Sequence, residues 1–349
     1  MTKGKYYDII EKHYGNKANE FCGNQVFSDN VKFANVNNLS GFNRRRYFFK
    51  IWRGYAFTSL KLFCAIIFKR CYYGPFKGEF GNFLGHNLPF LAYLHSKGVK
   101  IYYCGMLLHK PLLVNESGEE IIYKYYGLRD FFKEVSPTQN NTIPPADVQN
   151  EINKFEKEAK NSFLPYFNVG DPYYYWFIQR TWMLGRFMKT TDFTKTYKTQ
   201  KENSVVIFPR SKGARSTPNN GEPWNWDEVI STVKPYFDKV YILGHPAFSM
   251  PIKSYDNVEV VITDDNSKIL KKCCKSRLII TQHSGTCYLC EYTNAQVLVI
   301  FHGTFPILGI NDSIIFKEFI GKKFPLRFAF SISEINEYIK NNFTSIGND

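Results

Sequence analysis

The sequence is short of acid: Asp and Glu together number 31 against 45 Lys and Arg, giving a formal charge of +14. Such a deficit points to an anionic partner, whether nucleic acid, a membrane surface or a phosphorylated small molecule, or to general solubility. No run of about 20 apolar residues occurs, so no segment is expected to span a bilayer as a helix. The N-terminus, Met1-Thr-Lys-Gly-Lys-Tyr-Tyr-Asp8, lacks the apolar core of a signal peptide, which predicts a cytoplasmic protein. No G-x-x-x-x-G-K-S/T or G-x-G-x-x-G follows a strand, which disfavours an ATPase or an ordinary NAD enzyme. No G-x-S-x-G elbow occurs either, which argues against a common α/β hydrolase. Cys287-Tyr-Leu-Cys290 has no second Cys pair and no His at zinc-finger spacing. With most of the eight cysteines it reads as a reduced core residue pair.

What is present is substantial. At 349 residues and 44% hydrophobic, the chain has enough apolar material for two domains. Aromatics reach 17%, with 32 Phe and 24 Tyr; these side chains fill cores and also stack on bases and sugars. Residues 1–70 are the least legible. Arg44-Arg-Arg46 is either an anion site or a solvated face. Phe57–Phe68, the most apolar stretch, contains Lys61 and reads as a buried helix or strand.

Organisation begins near Cys71. Cys71-Tyr-Tyr-Gly74 ends a strand and Gly78-Glu-Phe-Gly81 makes a turn. Asn82 can cap a helix that runs to Ser96, and Gly98 stops it. Val99–Cys104 is the next strand. The unit is βαβ, with a kink or break expected at Pro89. Asp147–Lys160 is a charged amphipathic helix, and Tyr173–Phe177 is another helix or an aromatic patch. The polar stretch 189–202 reads as an interdomain linker. Strands then follow at Ser204–Phe208, Val240–Leu243, Val258–Ile262, Leu278–Thr281 and Val297–Phe301. Helices alternate with them at Trp226–Phe237, Asn266–Cys274 and Ser284–Tyr292. Unbroken Val/Ile runs alternating with helices mean a parallel sheet covered on both faces. Ser333–Asn341 is a final helix.

In open parallel sheets, ligands sit beyond the C-terminal strand ends. Those ends hold Arg210, Lys212 and Arg215, then Gly244 and His245, then Thr263, then His283-Ser284-Gly285-Thr286. At a strand-to-helix junction, exposed N–H groups, hydroxyls and a glycine suit a phosphate; the same residues also make an ordinary helix cap. Three cationic side chains on a neighbouring strand end favour phosphate. Glu291, further along that helix, is either a ribose ligand or a surface carboxylate. In the first half, Glu79 lies between Gly78 and Phe80-Gly81, with His86 one to two turns on. Glu79 reads as a general base or as favourable charge at a helix start.

Two Rossmann-like halves, a linker and a terminal helix resemble the GT-B glycosyltransferases, and the second half is similar to their heptosyltransferase-type branch. The residues that carry the resemblance are Val206-Ile-Phe-Pro-Arg210, the Trp226 helix, Val240-Tyr-Ile-Leu-Gly-His245, and Ile279-Ile-Thr-Gln-His-Ser-Gly-Thr286 with Val297–Phe301. Gly78-Glu79 matches the family's glycine–acid pair with Glu in place of Asp. Leu88-Pro-Phe-Leu91 resembles its Leu-Pro segment at a longer spacing. Ser284-Gly285 stands for Thr-Gly.

The resemblance implies an α/β, GT-B-like chain of two Rossmann-like domains facing a cleft. Residues 1–195 would bind acceptor, 196–330 would bind the nucleotide sugar, and 331–349 would form a helix and tail packing back on the first domain. It implies a hexosyl- or pentosyltransferase that uses a nucleotide-diphosphate sugar, UDP or GDP, and a glycan acceptor, with no nucleic acid partner and no cofactor. Without an Asp-x-Asp pair, Arg210, Lys212, Arg215 and the Ser284 helix would replace a metal ion. Glu79 on the opposite face of the sugar would invert the anomeric centre. The rival readings are a basic nucleic-acid-binding protein or another Rossmann-type transferase, such as a methyltransferase.

Overall fold

A computed structural model describes residues 41–78, 80–135, 143–174, 177–178, 187–210, 224–253, 255–282, 284–300, 326–329 and 331–343. Contacts divide the chain into two compact units, with residues 41–115 and 119–191 in the first and the bulk of residues from Asp192 onward in the second. Both are α/β, each built on a parallel sheet.

The first unit opens with helix α1, Gly41–Phe68. Strands β1 (Arg70–Phe76), β2 (Lys100–Met106), β3 (Lys124–Leu128) and β4 (Tyr166–Asn168) form a sheet in the order β3-β2-β1-β4. Its core is aromatic. Tyr72 pairs with Tyr102 and Tyr73 with Tyr103 in register, with ring centroids 4.9 and 5.9 Å apart. Tyr73 and Tyr103 are fully buried, so these aromatics serve the core and are not a platform for bases. β3 (Lys-Tyr-Tyr-Gly-Leu) and β4 (Tyr-Phe-Asn) are short and hold no Val or Ile run, which is why no strand is expected there from the sequence.

The helix expected from Asn82 to Ser96 is broken where Pro89 predicts. A π-helical turn, Phe83–Asn87, precedes helix α2, Leu88–Ser96, and Pro89 occupies its first turn. Proline has no N–H to donate back, so the wider turn takes up the mismatch. The Asn87 amide bonds Asn82 O at 2.8 Å and holds that turn closed. Helix α3, Ala146–Asn161, buries Val148, Ile152, Phe155 and Ala159 along one stripe. Residues 57–68 correct the sequence reading. They end a 28-residue helix and many of their apolar side chains face outward.

The second unit has six strands in the order β10-β9-β8-β5-β6-β7: β5 (Ser204–Phe208), β6 (Lys239–Gly244), β7 (Val258–Ile262), β8 (Leu278–Gln282), β9 (Gln296–Ile300) and β10 (Leu326–Ala329). Period-two alternation splits each strand between the two faces. Val205, Ile207, Val240, Ile242, Leu278, Ile280, Leu298 and Ile300 share one core with helix α4, Trp226–Val233. Helix α5, Asn266–Lys275, buries Ile269, Leu270, Cys273 and Cys274. Asn225 and Asp265 cap these two helices through their side-chain oxygens.

The C-terminal helix α6, Ile332–Phe343, sets its Ile335, Ile339 and Phe343 into the core beside α4 on the second sheet. One further expectation changes. The polar stretch 189–202 is not a free linker from Asp192 on. Phe193 is fully buried against Tyr292, with centroids 5.8 Å apart, and Asp192 caps the turn Phe193–Thr196. One apolar residue in a polar run leaves no periodic signal, which is why this docking is invisible in sequence.

Lys201 fastens the same segment by donating to Ser276 O at 2.7 Å and Thr293 O at 3.0 Å. Burial pushes its pKa down to about 8 from the ordinary 10.5. The unfolded chain therefore holds this proton more tightly. The group's contribution to stability rises with pH between about 8 and 10.5 and is smallest below that window. Lys201→Met removes the titrating amine and is expected to flatten that rise, so the variant loses ground to the wild type as pH climbs from about 8 to 10.5. Thermal melts across the same pH window measure the effect.

Candidate functional site

Each sheet has one point where the chain reverses its direction of travel. From β5 the chain proceeds to β6 and β7 on one side, then crosses to β8, β9 and β10 on the other. The loops after β5 and β8 therefore diverge and leave a crevice at their C-terminal ends. Arg210 follows β5 and Ser284 follows β8. The two ends are joined directly: Arg210 N–H donates to Gln282 Oε1 at 2.8 Å, and Gln282 Nε2 donates back to Arg210 O at 3.5 Å. Gln282 is buried and works as a strut, a role the strand-end reading did not give it.

Arg210 has a second support. Its guanidinium lies 5.7 Å from the centroid of the Phe248 ring, and that ring packs on His245 with centroids 5.3 Å apart. Arg210 also bridges Ser249 in antiparallel fashion, and Met250 N–H bonds Pro209 O at 2.9 Å. His245 Nδ1 accepts from Ala247 N–H at 3.1 Å. The Ser249 hydroxyl packs directly over Gly244, where a Cβ would sit 1.8 Å from Ser249 Oγ. Gly244 and His245 thus shape the loop that carries the Arg210 support. Phe248 and Ser249 belong to this group and lie four or five residues past the strand end, too far to be read from the strand pattern.

The turn after β8 is tighter than expected. Ser284–Tyr292 is not a continuous α-helix: a 3₁₀ segment, Gly285–Leu289, leads into one α-turn, Cys290–Thr293. Cys287 N–H bonds Ser284 O at 3.1 Å, and Ser284 Oγ accepts from Thr286 N–H at 3.3 Å. Thr281 Oγ1 bonds Thr286 Oγ1, and Ser284 Oγ lies 2.5 Å from Thr286 Oγ1. Three hydroxyls therefore converge at the β8 end. Because the helix is this short, hydroxyl and backbone donors dominate there over a summed helix dipole.

Glu291 is 0% exposed, so the surface alternative for it falls; its Oε1 lies 3.9 Å from Cys290 Sγ. Cys287 and Cys290 are buried, and neither is in a disulfide. Thr263 is a turn residue: its N–H donates to Gly244 O at 2.9 Å and its Oγ1 accepts from Asp265 N–H at 3.0 Å. Lys212, Arg215 and His283 lie outside the described residues, as does Glu79.

The first sheet repeats the geometry. The chain goes from β1 to β2 and β3, then crosses through α3 to β4 on the other side of β1. A cavity of 570 Å³ opens at the ends of β1 and β4, lined by Pro75, Lys77, Gln149, Ile152, Glu156, Asn168, Gly170 and Asp171. Burial pulls the Lys77 pKa below the ordinary lysine range, and Glu156 opposes that shift. Lys61 approaches Asp171 at 3.9 Å; burial lowers its pKa too, against the pull of that carboxylate. The lining joins cation, carboxylate and amide groups, a set suited to a ligand rich in hydroxyls. These residues were missed in sequence because α3 supplies Gln149 and Glu156 from about 80 residues beyond β1. His86 sits half-buried in the π-helical turn.

The two sheets, each with its crevice at a reversal point, have counterparts among solved structures. The chain aligns with E. coli heptosyltransferase WaaC solved with ADP at TM-score 0.51 and 12% identity, covering 78% of this chain and 99% of that one. It aligns with the same enzyme solved with ADP-2-deoxy-2-fluoro heptose at TM-score 0.50 and 10% identity, with the same coverage. This is a GT-B fold. The GT-B architecture extends over nearly the whole length of those neighbours while the sequences have diverged. No protein-family model matches the chain, and no curated protein matches its sequence.

Proposed function

We propose that this protein is a glycosyltransferase that moves a sugar from a nucleotide-diphosphate sugar to a glycan hydroxyl, inverting the anomeric centre without a metal ion. The observation that carries the reading is the link at the second sheet's reversal point, where Gln282 ties Arg210 to the strand bearing the Ser284–Thr286 turn. As the sugar–phosphate bond breaks, negative charge grows on the departing diphosphate. The Arg210 guanidinium and the donors of the Ser284–Thr286 turn, carried on adjacent strand ends, stabilise that charge. Lys212, Arg215 and His283 adjoin these residues in sequence and are assigned to the same diphosphate. Buried Glu291 is assigned to the ribose. The fold neighbours were solved with ADP and an ADP-sugar analogue, so ADP joins UDP and GDP as a donor candidate.

The cavity of the first sheet is assigned to the acceptor. Gly78 and Glu79 follow its wall residue Lys77 directly. Glu79 takes the proton from the acceptor hydroxyl, the oxygen attacks the anomeric carbon, and the bond to the diphosphate breaks with inversion. The nucleic-acid-binding alternative draws on net charge and on the interleaved aromatics, of which Tyr73 and Tyr103 are buried in the core.

Arg210→Ala tests the donor site. Affinity for the nucleoside diphosphate that stabilises the wild-type chain is expected to fall by about 1–3 kcal/mol, roughly 5–150-fold. Titration calorimetry with ADP, UDP and GDP supplies both the choice of base and the loss. Undiminished affinity in the variant removes Arg210 from the site, and no binding of any of the three removes the reading.

A further inference from the structure

Helix α1 is built inside out for a water-facing helix. Its buried positions are Gly54, Thr58, Leu62 and Ala65, a stripe with a single large side chain. The opposite face carries Phe49, Trp52, Leu60, Phe63 and Ile67, each at least 51% exposed. These five recur at spacings of three, eight, three and four residues and so share one side of the helix. From Phe49 to Ile67 the row spans about 27 Å at 1.5 Å per residue. Isolated exposed apolar residues are ordinary; a continuous row of large ones marks an interaction surface.

Charge selects the partner. The 28 residues of α1 include Arg44, Arg45, Arg46, Lys50, Arg53 and Lys61 and not one Asp or Glu. Arg45, Arg46, Lys50 and Arg53 are exposed. Lys61 is taken up by Asp171 and Tyr166 O, but a second copy of the same helix would still bring the other five cations against five. Residues 1–40 hold five Lys against four Asp and Glu, so they offer no complement either. Among the described residues no helix is long and apolar enough to cross a membrane. An apolar face about 27 Å long, flanked by uncompensated cations and carrying a tryptophan, is the pattern of a helix that lies in the plane of an anionic lipid surface. We propose that α1 docks this protein on anionic membranes, with Phe49, Trp52, Leu60, Phe63 and Ile67 entering the headgroup–acyl boundary and the arginines meeting lipid phosphates. This inference is independent of the transferase reading.

The test is co-sedimentation of the full chain with vesicles of phosphatidylcholine alone and of an equal mixture of phosphatidylcholine and phosphatidylglycerol. Binding is expected to the mixed vesicles, weaker in high salt. Leu60→Glu with Phe63→Glu should cut it about tenfold or more, because two inserted side chains become anions facing an anionic surface. Both positions are exposed, so the melting temperature should hold. If the double variant does not fold, brominated acyl chains should quench the wild-type tryptophan fluorescence, with less quenching in Trp52→Phe. The proposal is overturned if the wild-type chain ignores mixed vesicles or the folded double variant binds them equally. Quenching that is the same in Trp52→Phe also overturns it. Concentration-dependent dimers abolished by the double variant would assign the face to a second copy instead.

Discussion

Glu79→Gln is expected to reduce turnover by about 10²–10⁴-fold, the usual contribution of a positioned general base. The substitution keeps the size and shape of the side chain and removes its ability to accept a proton. Gly78, immediately before it, is buried, and Lys77, one residue earlier, lines the first sheet's cavity. Nucleoside diphosphate affinity should stay at the wild-type value, because that ligand is assigned to the second sheet. The measurement is single-turnover transfer beside calorimetric binding. Near-normal turnover would take the base role from Glu79 and pass it to His86, which is half-buried in the next turn and would then be replaced by Asn. A folding defect with no specific loss of transfer would leave Glu79 as favourable charge at a helix start.

Gly74→Ala is expected to destabilise the first unit by about 3–5 kcal/mol and lower its melting temperature by roughly 6–20 °C. Gly74 sits inside β1 with φ +126°, a backbone conformation hostile to any residue with a Cβ. There is also no room: the added carbon would lie 2.4 Å from the carbonyl oxygen of Cys104 on neighbouring β2. A backbone atom held in a ladder cannot swing aside as a side-chain tip can. Differential scanning calorimetry of the variant measures the loss, and a shift of less than about 2 °C would show that β1 relaxes without cost. The second sheet's transition should be unaffected.

The second unit was legible because its inner strands β5, β6, β8 and β9 are buried on both faces. Ser204–Phe208 and Leu278–Gln282 are apolar runs flanked by polar or glycine residues, and a continuous run of that kind has one common explanation. In the first unit β1 and β2 are legible, whereas β3 and β4 are short and hold no Val or Ile run. Pairing with β2 and β1 gives those residues their place, and no local period reveals it. The same limit explains α1. Its hydrophobic stretch was visible, but which side of it meets the protein depends on the small residues Gly54, Thr58 and Ala65 finding a surface to touch.

By itself the sequence determined the alternation of strand and helix after residue 203, the break at Pro89 and the strand ends that carry Arg210, Gly244 and Ser284. Each of these rests on near neighbours: burial period, missing donors and turn chemistry act within a few residues. Tertiary structure decided the rest. Strand order placed β8 beside β5 and so brought Gln282 to Arg210 across 72 residues. It put α3 over the ends of β1 and β4 to wall a cavity, set α6 against α4, and buried Glu291. These are outcomes of which surfaces meet, and surfaces meet to bury apolar area wherever the chain can bring them together, whatever their separation in sequence.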